Sequence, residues 1–399
     1  MSPLPPSIPP THLAIALSPS SSPSSTPLAL FTSPTPTPLP GEALIHVTWT
    51  ASSPVDLHRA AGGLLGSLEN AYGPFILGCT LGGVVAALGE ADADAQSQLE
   101  VGDEVFAFVQ DGEARQAGFQ EWACVPLWKV SRLTEGLKGK GVGMEEAVGV
   151  SCNLVTAVEV VGGDLGLALP WPKPEGWTPP EAGEMVLVWG AASSVGMYVL
   201  QVLKYWGYGN LVAVASEKHH ETLRGYGARA CFDYRRPGVV EEVLAYVESA
   251  AGSKGAGQPR VPFIIDCIGS VEGTLRPLTK IAEPGAKVAV MLPVIKVHAS
   301  EGQPSELEMD VGKVLPGEWK EGVELKGTRT FLYAKNDFLK KHLQPEIVPA
   351  LLEQGIVEPN KVRVVEGKTL LERAQRALDL LRDQAVSGER LVWRVAEED

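Results

Sequence analysis

Apolar residues follow two rhythms along the chain. Up to about residue 130, short apolar runs alternate with polar positions between Gly and Pro turns: residues 12–17, 28–31, ALIHVTW at 43–49, LGGVVAAL at 81–88 and VGDEVFAFV at 101–109. A period of two predicts half-buried strands, so this half is expected to be β-rich. From about Glu184 the rhythm becomes strand, Gly-rich turn and helix in repetition, which predicts a parallel sheet with crossover helices. Strands are placed at 185–189, 211–215, 230–232, 263–267 and 287–292, and helices at 195–206, 219–226 and 239–250. In the first helix Val195, Val199, Val202, Leu203 and Trp206 share one face. An acidic, poorly periodic stretch at 300–324 precedes a predicted strand at 328–333. A last strand-helix-strand unit follows at 362–365, 370–381 and 391–395, and its β texture predicts re-entry into the first domain.

Composition sharpens this picture. A chain of 399 residues with 45% apolar content supports more than one full-sized core. With 34 Lys and Arg against 48 Asp and Glu, the net charge of −14 repels phosphate backbones and anionic lipid, so neither nucleic acid nor a membrane is an expected partner. Cys79, Cys124, Cys152, Cys231 and Cys267 are scattered and form no C-x-x-C pair. No disulfide framework or zinc ribbon is expected, and a reducing, cytoplasmic setting fits. The apolar run at 13–17 is too short for a secretory segment and has no preceding positive charge, so no signal peptide is expected. The uncharged stretch 185–203 is interrupted by Gly190-Ala191-Ala192-Ser193-Ser194 and reads as strand, turn and helix rather than a membrane span. The run SPSSSPSSTP at 18–27 offers little apolar area to offset ordering entropy and is predicted to be a flexible loop.

The strongest chemical signal is Val188-Trp189-Gly190-Ala191-Ala192-Ser193-Ser194-Val195-Gly196, between a predicted strand and an amphipathic helix. A pyrophosphate rests on unpaired N–H groups at a helix N-terminus, which requires small residues so that the backbone can come close. Gly190 permits the tight turn and Gly196 close helix-strand packing, although the Gly-x-Gly-x-x-Gly spacing is not met. The next strand ends in Ser216 with Lys218 two residues later, where an NAD-binding fold usually has Asp or Glu. A hydroxyl and an ammonium suit a 2′-phosphate, and Tyr234-Arg235-Arg236 adds a phenol and two cations. Glu217 is the alternative, as an acid for the ribose. The balance points to NADPH.

Together with Asp56 in SPVD, Phe75-Ile76-Leu77-Gly78, Gly82-Gly83-Val84-Val85, Val101-Gly102-Asp103-Glu104, Phe232-Asp233-Tyr234 and Ser387-Gly388-Glu389-Arg390-Leu391-Val392, this turn resembles the medium-chain dehydrogenase/reductases. The likeness is closest to the zinc-free branch of quinone oxidoreductase-like proteins and fungal trans-acting enoyl reductases. It implies an α/β fold: a Rossmann doubly wound parallel sheet plus a β-rich GroES-like catalytic domain. The implied divisions are 1–155 for the catalytic domain's first part, 156–325 for the NADP-binding domain and 326–399 for the segment completing the catalytic domain. The resemblance puts Pro54, Val55 and Asp56 beside the nicotinamide and Thr156 against its ring or amide. It puts Ala192, Ser193, Ser194 and Val195 on the pyrophosphate, and Ser216, Lys218 and Tyr234 on the 2′-phosphate. Ile268, Leu292 and Pro293 would flank the ribose and nicotinamide, and Val386 and Ser387 would close over the cofactor.

Departures from the zinc alcohol dehydrogenases are informative. They carry a Cys near the Ser53 position and Gly-His-Glu where this chain has Gly78-Cys79-Thr80. Catalytic zinc needs three protein ligands, so no metal is expected. Without a metal to polarise a carbonyl, the expected activity is NADPH-dependent hydride transfer to an activated alkene (enoyl or enone) or a quinone. A zinc-independent alcohol or aldehyde reductase, or a non-catalytic NADPH-binding sensor or assembly protein, are the alternatives. His58 is read as structural. The substrate is a small molecule whose pocket walls are expected from 62–72 and 294–324, and the chain a monomer or homodimer.

Overall fold

The alternating runs of the first half pair into a seven-stranded sheet. Its order is Lys361–Val364, Glu389–Arg394, Glu42–Ser52, Thr80–Leu88, Glu104–Phe108 and Val130–Arg132, with Trp122–Pro126 also paired to Glu42–Ser52. The computed structural model describes residues 7–17, 28–60, 75–90, 99–109, 114–250, 255, 257–300 and 303–396. The loops read at 18–27 and 62–72 lie outside them. The chain divides into two units, Met1–Val155 with His298–Ser305 and Ala334–Asp399, and Thr156–Val297 with Glu306–Tyr333.

In the first unit the C-terminal strand Glu389–Arg394 runs antiparallel to Glu42–Ser52, with Leu391 opposite Ser52 and Arg394 opposite Trp49. Alternate residues Ile45, Val47, Leu81, Val105 and Trp393 meet in a core with Phe119 and one face of the helix Leu370–Arg382. Trp393 donates its indole N–H to Ser52 Oγ at 2.9 Å, which satisfies the polar edge of a buried ring.

The second unit holds a six-stranded sheet, parallel throughout. Its order is Ala228–Phe232, Asn210–Val214, Met185–Trp189, Phe263–Asp266, Lys287–Met291 and Glu324–Thr328. Central strands covered on both faces read as continuous apolar runs, and every residue of MVLVW is buried. The order reverses between Met185–Trp189 and Phe263–Asp266, a topological switch point at which open α/β sheets leave a crevice beyond the strands' carboxyl ends.

Two elements differ from the sequence reading. The sixth strand lies at Glu324–Thr328, and residues 330–333, read as strand, belong to a 3-10 turn at Thr330–Lys335. ELKGT occupies a sheet edge, where exposed Glu324 and half-buried Lys326, charged and paired with each other, mask the alternation. Within 300–324 a short strand, Glu306–Glu308, pairs antiparallel with Val294–Val297. Among the described residues one helical run, Met144–Asp164, is long and apolar enough to cross a membrane; 78% of its most apolar 18 residues are buried in the protein, as in a core helix.

Candidate dinucleotide-binding site

The carboxyl edge of the parallel sheet carries most of the sequence-derived candidates. Trp189 ends the central strand, and Gly190 then turns the chain at φ +73, a left-handed conformation that favours glycine. A Cβ at Gly190 would sit 2.5 Å from Ile268 Cγ1, and one at Gly196 would sit 2.7 Å from both Ala191 Cα and Gly190 O. Two absent side chains therefore let the helix Ser194–Trp206 start directly against the strand end. Ser193 caps that helix, its Oγ accepting from the Gly196 N–H at 3.1 Å. Ala192, Ser193, Ser194 and Val195 are half-buried and reach solvent at this edge. The N–H groups of Gly190 and Ala191 are bound to Val214 O, at 3.0 and 3.1 Å, so the turn is fixed by the neighbouring strand.

The end of the second strand is polar and carries a cation. Buried Ser216 lies 3.4 Å from the phenol oxygen of Tyr234, itself 49% exposed, and Lys218 is exposed two residues on. Arg235 is held by Asp233 at 2.9 Å, and Arg236 lies 3.6 Å from Glu242. Asp233 also accepts the Glu217 N–H, and the Arg235 guanidinium drives its carboxyl well below the usual range. Glu217 opens a 3-10 turn with its side chain exposed.

On the other side of the switch point, Ile268 is 38% exposed and packs against Gly190. Leu292 follows the fifth strand, half-buried over Gly327, and Pro293 is buried. Thr156, near the end of the helix Met144–Val158, lies 2.8 Å from Thr330 through the two hydroxyls. One residue the sequence reading passed over is Asp266, fully buried at the end of the fourth strand. It accepts from the N–H groups of Ile268 and Gly269 at 2.9 and 3.1 Å and from the Thr274 hydroxyl at 2.5 Å. Burial pushes it up to about 6 in spite of these bonds. An acid closing an otherwise apolar strand was the available signal.

The remaining candidates belong to the first unit. In the helix Pro54–Ala60, Pro54 is exposed, Val55 half-buried and Asp56 fully buried, its Oδ2 accepting the Ser53 N–H at 2.6 Å and hydroxyl at 2.9 Å. Burial raises the Asp56 carboxyl. Val386 packs on the first unit's core, and Ser387 is exposed beside it in sequence.

His58, on the same helix, is 6% exposed, and burial lowers it from 6.5 to about 4, with His298 adding repulsion. A folded-state value below the unfolded one gives stability that is present above pH 6.5 and lost as pH falls toward 4, up to about 3 kcal/mol. Melting temperature followed over this window should fall for the wild type and stay flatter for His58→Leu. An unchanged slope in the variant would assign the acid sensitivity to another group.

A family profile described as the alcohol dehydrogenase GroES-like domain matches residues 39–159. The trans-enoyl reductase tazE of Aspergillus terreus is 31% identical over 225 residues, covering 55% of this chain and 69% of that protein. The chain belongs to the zinc-free medium-chain dehydrogenase/reductase family. Over a longer span, this family member is 26% identical to the trans-enoyl reductase caaB of Aspergillus niger across 384 residues, 91% of this chain and 92% of that one. It spans about half, 55%, of the length of another relative, the Saccharomyces cerevisiae protein YCR102C, at 29% identity over 52% of this chain. Solved structures share the fold of the family member: the quinone oxidoreductase of Coxiella burnetii (TM-score 0.65, 18% identity, covering 97% of this chain and all of that one) and a mycobacterial protein complexed with NADPH (TM-score 0.66, 17% identity, 96% and 99%).

Proposed function

We propose that the protein is an NADPH-dependent reductase that transfers hydride to an activated alkene conjugated to a carbonyl, or to a quinone, without a metal. The observation that carries this reading is the pairing of a small-residue turn at the head of a 13-residue helix with Ser216, Tyr234 and Lys218 one strand away. The turn fits a dinucleotide's pyrophosphate, because the missing side chains at Gly190 and Gly196 let the helix start against the strand end and leave the small residues Ala192, Ser193 and Ser194 half-exposed at its N-terminus. A hydroxyl, a phenol and an ammonium fit the 2′-phosphate, and no acid occupies the end of that strand. The trans-enoyl reductase relatives and a structural neighbour holding NADPH support the same chemistry.

A bound nicotinamide supplies a hydride, which an enone or quinone accepts because the resulting charge spreads onto oxygen. The chain's part is to hold and align. Ala192, Ser193, Ser194 and Val195 would bind the pyrophosphate. Ile268, Leu292 and Pro293 would bound the ribose and nicotinamide half, and Thr156, steadied by Thr330 at 2.8 Å, would position the ring. Where the zinc alcohol dehydrogenases carry Cys and Gly-His-Glu, Ser53 donates to Asp56 at 2.9 Å, Cys79 is buried, and Thr80 bonds the Ala51 backbone at 3.1 and 3.2 Å, so both hydroxyls serve the fold. A small-molecule substrate and a cytoplasmic setting complete the proposal.

Purified protein titrated with NADPH and NADH, then mixed with a panel of enones and quinones, tests it. Oxidation of NADPH by at least one acceptor, with NADPH bound more tightly than NADH, is expected. Tight NADPH binding with no turnover across the panel would replace the reductase by a cofactor-binding protein.

A further inference from the structure

Asp233 ties together the ends of two strands. Its Oδ2 accepts the Glu217 N–H at 3.2 Å, beyond Asn210–Val214, and its Oδ1 accepts the Arg235 N–H at 3.0 Å, beyond Ala228–Phe232. The Arg235 guanidinium closes over the same carboxylate as a fork, Nε to Oδ1 at 3.1 Å and Nη2 to Oδ2 at 2.9 Å. The lone pairs of the carboxylate are then fully engaged. Asp233 is left 6% exposed, while 55% of the arginine side chain stays at the surface.

The clamp sits among the groups that fit a 2′-phosphate. Glu217 opens the 3-10 turn Glu217–His219, which carries Lys218, and the His219 N–H closes that turn on Ser216 O at 3.0 Å. Tyr234 lies between Asp233 and Arg235 in the chain, its phenol 3.4 Å from Ser216 and its ring 5.9 Å from the guanidinium. One carboxylate therefore holds both the turn that carries Lys218 and the loop that carries Tyr234. It also sets a full negative charge beside them. An acid in such a place suits the ribose 2′-hydroxyl of NADH and repels a 2′-phosphate.

We propose that Arg235 determines cofactor preference without binding the phosphate itself: it cancels the charge of Asp233, so that Asp233 can position the Lys218 turn without repelling a 2′-phosphate. This rests on the NADPH reading above. Two of the three guanidinium nitrogens, Nε and Nη2, are committed to Asp233. Arg236 faces Glu242 at 3.6 Å instead, and the Glu217 side chain is exposed, where water and salt screen it. Asp233 is thus the acid whose charge the site has to offset, and Arg235 is the cation placed on it.

Arg235→Ala leaves Asp233 its two backbone N–H partners and uncovers its charge. Dissociation constants for NADPH and NADH would be measured at neutral pH and low salt for the wild type, Arg235→Ala, Asp233→Asn and the double variant, with melting curves to confirm folding. Arg235→Ala should weaken NADPH about fivefold or more and hold NADH as tightly as the wild type or more tightly. A merely structural role would lower both affinities together. In the double variant both charges are gone, and the preference for NADPH should rise again, to within about threefold of the wild type. A double variant no more selective than Arg235→Ala would make Arg235 a phosphate ligand in its own right and overturn the proposal. If the Asp233→Asn variants fail to fold, Arg235→Lys and Arg235→Gln decide: Arg235→Lys should keep the preference, since any cation on Asp233 cancels it, and Arg235→Gln should lose it. Loss in both, or retention in both, would overturn the proposal. An unmoved preference in Arg235→Ala removes the role of the pair and leaves the NADPH reading standing, whereas a wild type that binds neither dinucleotide sinks that reading and the role with it.

Discussion

Lys218→Ala should weaken NADPH binding by about 10- to 30-fold, from the loss of roughly 1.5–2 kcal/mol of charge-assisted contact to the 2′-phosphate, and leave NADH nearly unaffected. The lysine is exposed, and Ser216 and Tyr234 remain 3.4 Å apart beside it, so the strand end itself has no reason to change. Arg235 and Arg236 are poor substitutes because Asp233 and Glu242 already engage them. The wild-type preference for NADPH should shrink as salt is raised, since an exposed ammonium acts through a screened field. Equal losses for the two cofactors in the variant would remove Lys218 from the 2′-phosphate site. A gain in NADH affinity on Glu217→Ala would likewise count against the acid as a ribose ligand.

Gly196→Val should cost both stability and cofactor. Its Cβ would meet Ala191 Cα and Gly190 O at 2.7 Å and Ala191 O at 2.8 Å, all backbone atoms, so no side chain can swing aside. Overpacking of this kind typically costs about 1–3 kcal/mol, which in a domain of this size lowers the melting temperature by about 2–4 °C per kcal/mol. Relief requires the helix Ser194–Trp206 to back away from the strand end, which withdraws its N-terminal N–H groups and dipole from the turn; NADPH affinity should fall by more than about tenfold. Gly225→Ala, at the end of the helix His220–Gly225 with nothing within 4 Å of its Cβ, is the control and should do neither. A destabilised Gly196→Val that keeps full NADPH affinity would mean that this helix end does not hold the phosphates.

Burial made much of the second unit legible in the sequence. The strands MVLVW and FIID are covered on both faces, and their continuous apolar runs locate them to within a residue of Met185–Trp189 and Phe263–Asp266. Ser193, read as a phosphate-binding residue, also proves to cap the helix that follows. The edge strand Glu324–Thr328 was displaced in the reading because its charged residues look like loop, and only pairing with Lys287–Met291 reveals it. The helix Met144–Val158 was not placed, because a segment that is apolar nearly all round shows no period. Asp266 stayed hidden for another reason: its partners Ile268, Gly269 and Thr274 are ordinary residues whose convergence on one carboxyl depends on the fold. The sequence reading left Glu217 open, and the structure adds that its own N–H is spent on Asp233.

The strand Glu389–Arg394 lies between Lys361–Val364 and Glu42–Ser52, and Trp393 reaches a serine 341 residues earlier. A nascent chain emerging from the ribosome therefore exposes the apolar face of its first sheet until Glu389–Arg394 has been made, whereas the parallel sheet of the second unit, contiguous but for a short hairpin, can close before it. The newborn polypeptide has to shield that unfinished surface until this strand arrives, which makes Glu389–Arg394 the step that commits the first sheet to its native state.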